Sequence, residues 1–129
     1  MEQPQFLSWE TVEDLHLESL ARHGGLDGIR DSGALESALG AAENAYFYGA
    51  GDIHVIGAAY AFHLAESQGF IDGNKRTAIA CAATFLRANG CVDGADDTVL
   101  YDAMIAIAAR RMDKAGLAMV LRRQFPRRG

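Results

Sequence analysis

No run of 18 apolar residues occurs in this chain, and no basic segment followed by an apolar one opens it. Nothing therefore points to membrane insertion or export. Cysteine is nearly missing too: Cys81 and Cys91 are the two present, and they form no metal-type cluster. Cys81 lies in an apolar stretch and reads as a small buried side chain. A reduced, cytoplasmic setting is the expectation. Positive charge is in deficit, with 12 Lys and Arg against 17 Asp and Glu and a formal net charge of −5. That balance disfavours direct DNA binding as the main task, and no basic reading helix is visible. No segment alternates convincingly enough to be a strand, no repeat appears, and no linker divides the chain. The 129 residues, half of them hydrophobic, point to one domain over 1–129 and a compact all-α bundle.

What is present is concentrated in residues 68–78, Gln-Gly-Phe-Ile-Asp-Gly-Asn-Lys-Arg-Thr-Ala. The segment runs from a polar loop into an apolar helix. Gly69 and Gly73 permit backbone angles that other residues resist. Asp72 and Asn74 are both good helix-start residues. Lys75 and Arg76 then fall in the first turn, at the positive end of the helix dipole, where each is the wrong sign by roughly 0.3–1 kcal/mol if exposed. Free backbone N–H groups with added cations make an anion site, and phosphate is the expected anion. The plainer alternative is a helix capped by Asp72 or Asn74, with Lys75 and Arg76 solvated.

Helical periodicity organises the rest. Trp9 or Thr11 opens a first helix with Val12, Leu15, Leu17, Leu20 and Ala21 on its apolar stripe, and Gly24-Gly25 end it. Pro4 argues against helix before that. Arg30 and Asp31 suggest an ion pair that ties down the loop over 26–31. Asp31 or Ser32 caps a second helix to about Asn44, and an aromatic segment, Ala45-Tyr46-Phe47-Tyr48-Gly49, follows. Asp52 caps a third helix to about Ser67. His63 on it lies five residues before Gln68, about 140° round the helix, and reads as a packed histidine with a partner. The fourth, 74–89, is the most apolar and is expected to be the buried centre. Asp96 or Asp97 caps a fifth over about 98–110, with Val99, Leu100, Ala103, Met104, Ile107 and Ala108 inward. Asp113 caps a sixth to about Gln124.

Residues 68–76 resemble the signature of the Fic/Doc family, in its Doc (death-on-curing) toxin branch. The family pattern is His-x-Phe-x-Asp/Ala-Gly/Ala-Asn-Lys/Gly-Arg, and Phe70, Asp72, Gly73, Asn74, Lys75 and Arg76 fit it. Residues 25–31 and 35–39 are similar to the Doc opening, and 84–90 continue the match. The likeness spans roughly residues 5 to 123. It implies an all-α Fic/Doc-like bundle around the helix at 74–89. It implies that Phe70 anchors the loop, that Asp72 binds Mg²⁺, that Gly73, Asn74, Lys75 and Arg76 hold the phosphates of ATP, and that residues 45–49 form a flap over the site. The alternative for 45–49 is an apolar loop packed on the core.

One position departs from the pattern. The family's catalytic histidine, the general base on the target hydroxyl, falls on Gln68. An amide cannot take a proton at neutral pH, and losing a positioned base typically costs ~10²–10⁴ in rate. Ile79 stands where the AMP-transferring branch carries a second arginine, and Lys75 where that branch carries glycine. Both favour transfer of the terminal phosphate to a protein hydroxyl. The resemblance implies elongation factor Tu as target and a separate cognate antitoxin as inhibitor, because the family's inhibitory motif, Ser/Thr-x-x-x-Glu-Gly/Asn, has no match in this chain. Two readings follow: a Doc-type kinase impaired by Gln68, or an inactive protein that binds nucleotide and antitoxin.

Overall fold

The computed structural model describes residues 3–49, 51–92, 94 and 96–128. Six helices account for most of it: α1 (Trp9–His23), α2 (Ser32–Phe47), α3 (Ile53–Ser67), α4 (Asn74–Ala88), α5 (Asp97–Ala108) and α6 (Lys114–Gln124). Among the described residues the only β pairing is two isolated antiparallel bridges, Ile29 with Phe70 and Cys91 with Arg127.

Five helices start on a side-chain cap. Ser8, Asp31, Asp52, Asp96 and Asp113 each accept a backbone N–H of the first turn. Such a cap supplies one of the four donors that a helix start leaves unpaired. Gly24, at φ 79°, closes α1.

The bundle is built around α3 as much as α4. Ten of the fifteen residues of α3 are buried, against eight of the fifteen of α4. The expectation that 74–89 is the most buried helix is therefore corrected. α3 packs on α2, α4, α5 and α6, whereas α4 leaves Arg76 of its first turn and Arg87 and Ala88 of its last exposed. Gly57 of α3 sits so close to α4 that a β-carbon there would come within 3.2 Å of Leu86.

Other details also shift. On α1 the buried stripe is Val12, His16 and Ser19, while Leu17 faces solvent. α2 continues through the aromatic segment to Phe47, because Phe6 packs against Tyr46 and Phe47 with ring centroids 6.0 Å away from each. Residues 45–47 are thus helix, and Tyr48 caps the end, exposed. On α5, Val99 and Ala108 turn outward. The loop over 26–31 is tied by backbone bonds rather than an Arg30–Asp31 ion pair: both N–H groups donate to the Gly69 carbonyl, at 2.7 and 3.0 Å, and the Asp31 carboxylate is spent on capping α2.

Three polar ties close the chain ends. The Asn89 amide bonds both main-chain groups of Gln5. The Leu7 N–H donates to the Tyr60 hydroxyl, whose pKa burial raises to about 12. Buried His54 donates through Nε2 to the Phe125 carbonyl at 2.7 Å. Cys81 and Cys91 are free and buried, and burial pushes the Cys81 thiol up to about 12. No helix among the described residues is long and apolar enough to cross a membrane.

Candidate functional site

The loop from α3 to α4 is held by side chains that leave its outer surface open. α3 ends on Gln68 in the left-handed conformation, φ 50° and ψ 33°. Its Nε2 donates to the Ala65 carbonyl at 3.1 Å. A carbonyl only accepts, so the amide nitrogen faces the helix and Oε1 is the free polar atom of the side chain. Phe70 is buried and stacks on the His16 ring, centroids 3.7 Å apart and planes 9° apart. His16 Nε2 donates to the Asp72 carbonyl at 2.8 Å.

Asn74 completes the frame. Its Oδ1 accepts the Phe70 N–H at 3.0 Å, and its Nδ2 donates to the Phe70 carbonyl at 2.9 Å. The buried side chain therefore fixes the loop, and only its main-chain N–H faces outward. Nor does Asp72 cap the helix. Its Oδ2 accepts the Leu26 N–H at 2.8 Å, and the carboxylate stays half-buried at the cleft.

With both candidate caps engaged elsewhere, α4 starts on Gly73, at φ 80°, without any side-chain cap. The first α4 bond runs from Thr77 N–H to the Gly73 carbonyl. The N–H groups of residues 73–76 have no partner among the described residues. They open onto a cleft of about 430 Å³ that Gln68, Asp72, Gly73, Asn74, Lys75 and Arg76 all line.

Charge in the cleft is positive at one end. The Arg76 guanidinium lies 4.8 Å above the Tyr101 ring, a cation–π contact. Its Nη1 is 3.4 Å from His23 Nε2, so that ring nitrogen is the acceptor. The Lys75 ammonium has no partner among the described residues. Orphan N–H groups, the dipole and two cations act together to attract an anion. Past Arg76 the cleft runs into a second groove of about 520 Å³ between α1, α4 and α5, floored by Leu15, Ile79, Ala83 and Leu100.

Sequence reasoning missed His16, His23 and Tyr101. His16 sits at i+4 from Val12 and three before Ser19, a stripe that helical spacing could have exposed. Nothing in sequence joins His23 or Tyr101 to Arg76. His63, by contrast, has the expected partner: its Nε2 lies 3.0 Å from Lys114 Nζ. Burial, then the Lys114 charge, holds its pKa below the ordinary value, and Glu66 opposes them.

Fold and site together define a helical-bundle protein with an uncapped, cation-flanked helix start that faces a cleft. The comparisons narrow the class. The Fic/DOC family profile matches residues 6–86. The "Protein kinase doc" of Escherichia phage P1 is 33% identical over 120 residues, covering 92% of this chain and 94% of that protein. The "Toxin Doc" of Mycolicibacterium smegmatis is 36% identical over 114 residues, 84% of this chain and 87% of that one. The chain belongs to the Fic/Doc family, and these relatives are of the Doc kind.

Proposed function

We propose that the chain is a Doc-type toxin whose cleft binds ATP and whose lineage activity is transfer of the terminal phosphate to a protein hydroxyl, slowed here by Gln68. The observation that carries the reading is the uncapped start of α4, where the N–H groups of 73–76, Lys75 and Arg76 face one cleft with Asp72 and Gln68. In this reading the main-chain N–H groups and Arg76 hold the phosphates, and Lys75 offsets the remaining charge.

Asp72 suits Mg²⁺. Among the described residues no three His, Cys, Asp or Glu group to hold a metal, but one carboxylate with phosphate oxygens and waters is a common Mg²⁺ environment. Asp72 Oδ1 is the carboxylate oxygen left for it, since Oδ2 accepts from Leu26. When bound, the ion would neutralise phosphate charge during transfer.

Phosphoryl transfer depends chiefly on positioning and charge stabilisation. Gln68 Oε1 can accept a hydrogen bond from an incoming hydroxyl but cannot remove its proton. Slow transfer with intact nucleotide binding follows. The second reading, a nucleotide- and antitoxin-binding pseudoenzyme, is favoured by the same residue. AMP transfer is disfavoured by Ile79 and Lys75.

The partners proposed are a cognate antitoxin, which places a glutamate near Arg76, and elongation factor Tu or a similar translation factor as acceptor. The groove beyond Arg76 has the apolar floor and cationic mouth that an acidic helix of the antitoxin would fill. The setting proposed is the cytoplasm, with no DNA or membrane contact. The test is incubation with terminally labelled ATP and cell extract, with this chain beside its Gln68→His variant. Label on one protein, much faster with Gln68→His, supports the reading. Equal rates refute the impairment, and absence of nucleotide binding refutes the site.

A further inference from the structure

Arg76 is approached by two elements that lie outside its own motif. His23 is the last residue of α1, just before the turn at Gly24, and Tyr101 stands on α5. The guanidinium lies 4.8 Å above the Tyr101 ring, and its Nη1 lies 3.4 Å from His23 Nε2. Arg76, His23 and Tyr101 each line both cavities, so they stand at the seam between the cleft at the start of α4 and the groove beyond it.

Neither contact neutralises the cation. A ring nitrogen that accepts carries no proton, and an aromatic face attracts a cation without cancelling its charge. No carboxylate pairs with Arg76 among the described residues. Glu18, which lines the groove, bonds Arg22 at 2.8 Å instead. One guanidinium N–H is spent on His23, and the others remain for a ligand. An exposed arginine is otherwise spread over many rotamers, and a ligand that uses it must order it on binding.

We infer that His23 and Tyr101 are positioning residues: they fix the Arg76 guanidinium at the cleft before an anion arrives, and so raise the affinity of the α4 start for polyphosphate. The inference rests on the phosphate-site reading and adds the two residues that preorganise its arginine. The cost of ordering the side chain is met within the fold, so the ligand does not bear it. A carboxylate in place of either residue would hold Arg76 as well but would cancel the charge that the anion needs. The opposite role, in which the pair draws Arg76 away from the ligand, fits worse, because Arg76 lines the cleft while it is held.

The test titrates the chain as it stands with tripolyphosphate and with ATP, both in EDTA, by calorimetry. His23→Leu and Tyr101→Leu are each expected to weaken both ligands by about two- to fivefold. His23→Gln keeps an acceptor and Tyr101→Phe keeps the ring, so both should bind as the parent does. In an Arg76→Ala background, itself weaker than the parent, the Leu substitutions should have no further effect, a result that general loosening of α1 or α5 would not give. Unchanged or tighter binding in either Leu variant overturns the inference. So do conservative variants as weak as their Leu counterparts, and so does a Leu deficit that persists in Arg76→Ala. A Tyr101→Leu loss seen with ATP but not with tripolyphosphate also overturns it, because the ring would then be a contact for the nucleoside. If Arg76→Ala binds both ligands as the parent does, the phosphate-site reading itself fails; if it binds weakly while the Leu variants do not, only the positioning role fails.

Discussion

Asn74 is where stability and site geometry can be separated from catalysis. Its amide meets both main-chain groups of Phe70, and all of these groups are buried. Asn74→Ala leaves a buried N–H and a buried C=O without partners, each costing about 1–3 kcal/mol. The expected loss is therefore about 2–4 kcal/mol, a large part of the ~5–15 kcal/mol that holds a typical domain. Urea unfolding should show the midpoint lowered with the slope unchanged. Asn74→Asp sharpens the test. The introduced carboxylate still accepts the Phe70 N–H, but it sets a second acceptor against the Phe70 carbonyl. Burial and that carbonyl both disfavour its charge, so its folded pKa is raised above its unfolded value. Stability from such a group is present below the unfolded pKa and is lost as pH rises through the folded one. The deficit of Asn74→Asp relative to wild type should accordingly shrink as pH falls, when the protonated carboxyl can donate to Phe70. The variant most damaged near neutral pH should also bind nucleotide worst, because the loop frames the cleft. An Asn74→Ala protein within about 0.5 kcal/mol of wild type, or an Asn74→Asp deficit flat with pH, refutes the framing role.

Three further outcomes are expected. Asp72→Asn should abolish the Mg²⁺ dependence of nucleotide binding and leave affinity in EDTA little changed, as read by titration of a fluorescent nucleotide. An undiminished Mg²⁺ effect removes Asp72 as the ion's carboxylate. His63 has a depressed pKa, from burial first and then Lys114. Its contribution is thus present above the ordinary histidine value of about 6.5 and is lost as pH falls through the lower folded value. The melting temperature should drop over that acid range, and less so for His63→Gln; parallel curves contradict this. Thr77 Oγ1 is buried without a partner, so Thr77→Val should be neutral or stabilising by up to about 1 kcal/mol, and a loss larger than that would mean the hydroxyl is used.

Much of the scaffold was legible because its signals are local. Asp31, Asp52, Asp96 and Asp113 each precede an apolar helical run, and each caps the helix that follows. Register within helices was less legible. On α1, leucine count favoured Leu17, whereas packing buried His16, because a histidine that stacks on Phe70 and bonds a carbonyl is satisfied in the core. The aromatic segment after Asn44 has no helix stop before Gly49, and Phe6, 38 residues upstream of Asn44, supplies a contact that helps keep it helical. The cleft residues sit together in the motif. His23 and Tyr101 come from two other parts of the chain and reach the cleft through the fold alone.

The left-handed turn at Gln68 bears on the slowing proposed for that residue. A non-glycine residue there costs of order 1–3 kcal/mol, and among the described residues Arg110 alone shares a positive φ without being glycine. As a mere helix stop, position 68 would be served better by glycine. A long polar side chain stands there instead, tied to Ala65 and lining the cleft. The strain thus goes into presenting a side chain to the site. Gly69 beside it is equally constrained, since any β-carbon would come within 2.4 Å of Leu35. The frame formed by Phe70, His16 and Asn74 does not involve the Gln68 side chain, and neither does the open start of α4. Gln68→His therefore changes the group presented and leaves the presentation alone, which is why one substitution should raise the transfer rate without altering nucleotide affinity. A gain in rate that came with tighter nucleotide binding would mean that position 68 shapes the cleft as well as presenting a side chain to it.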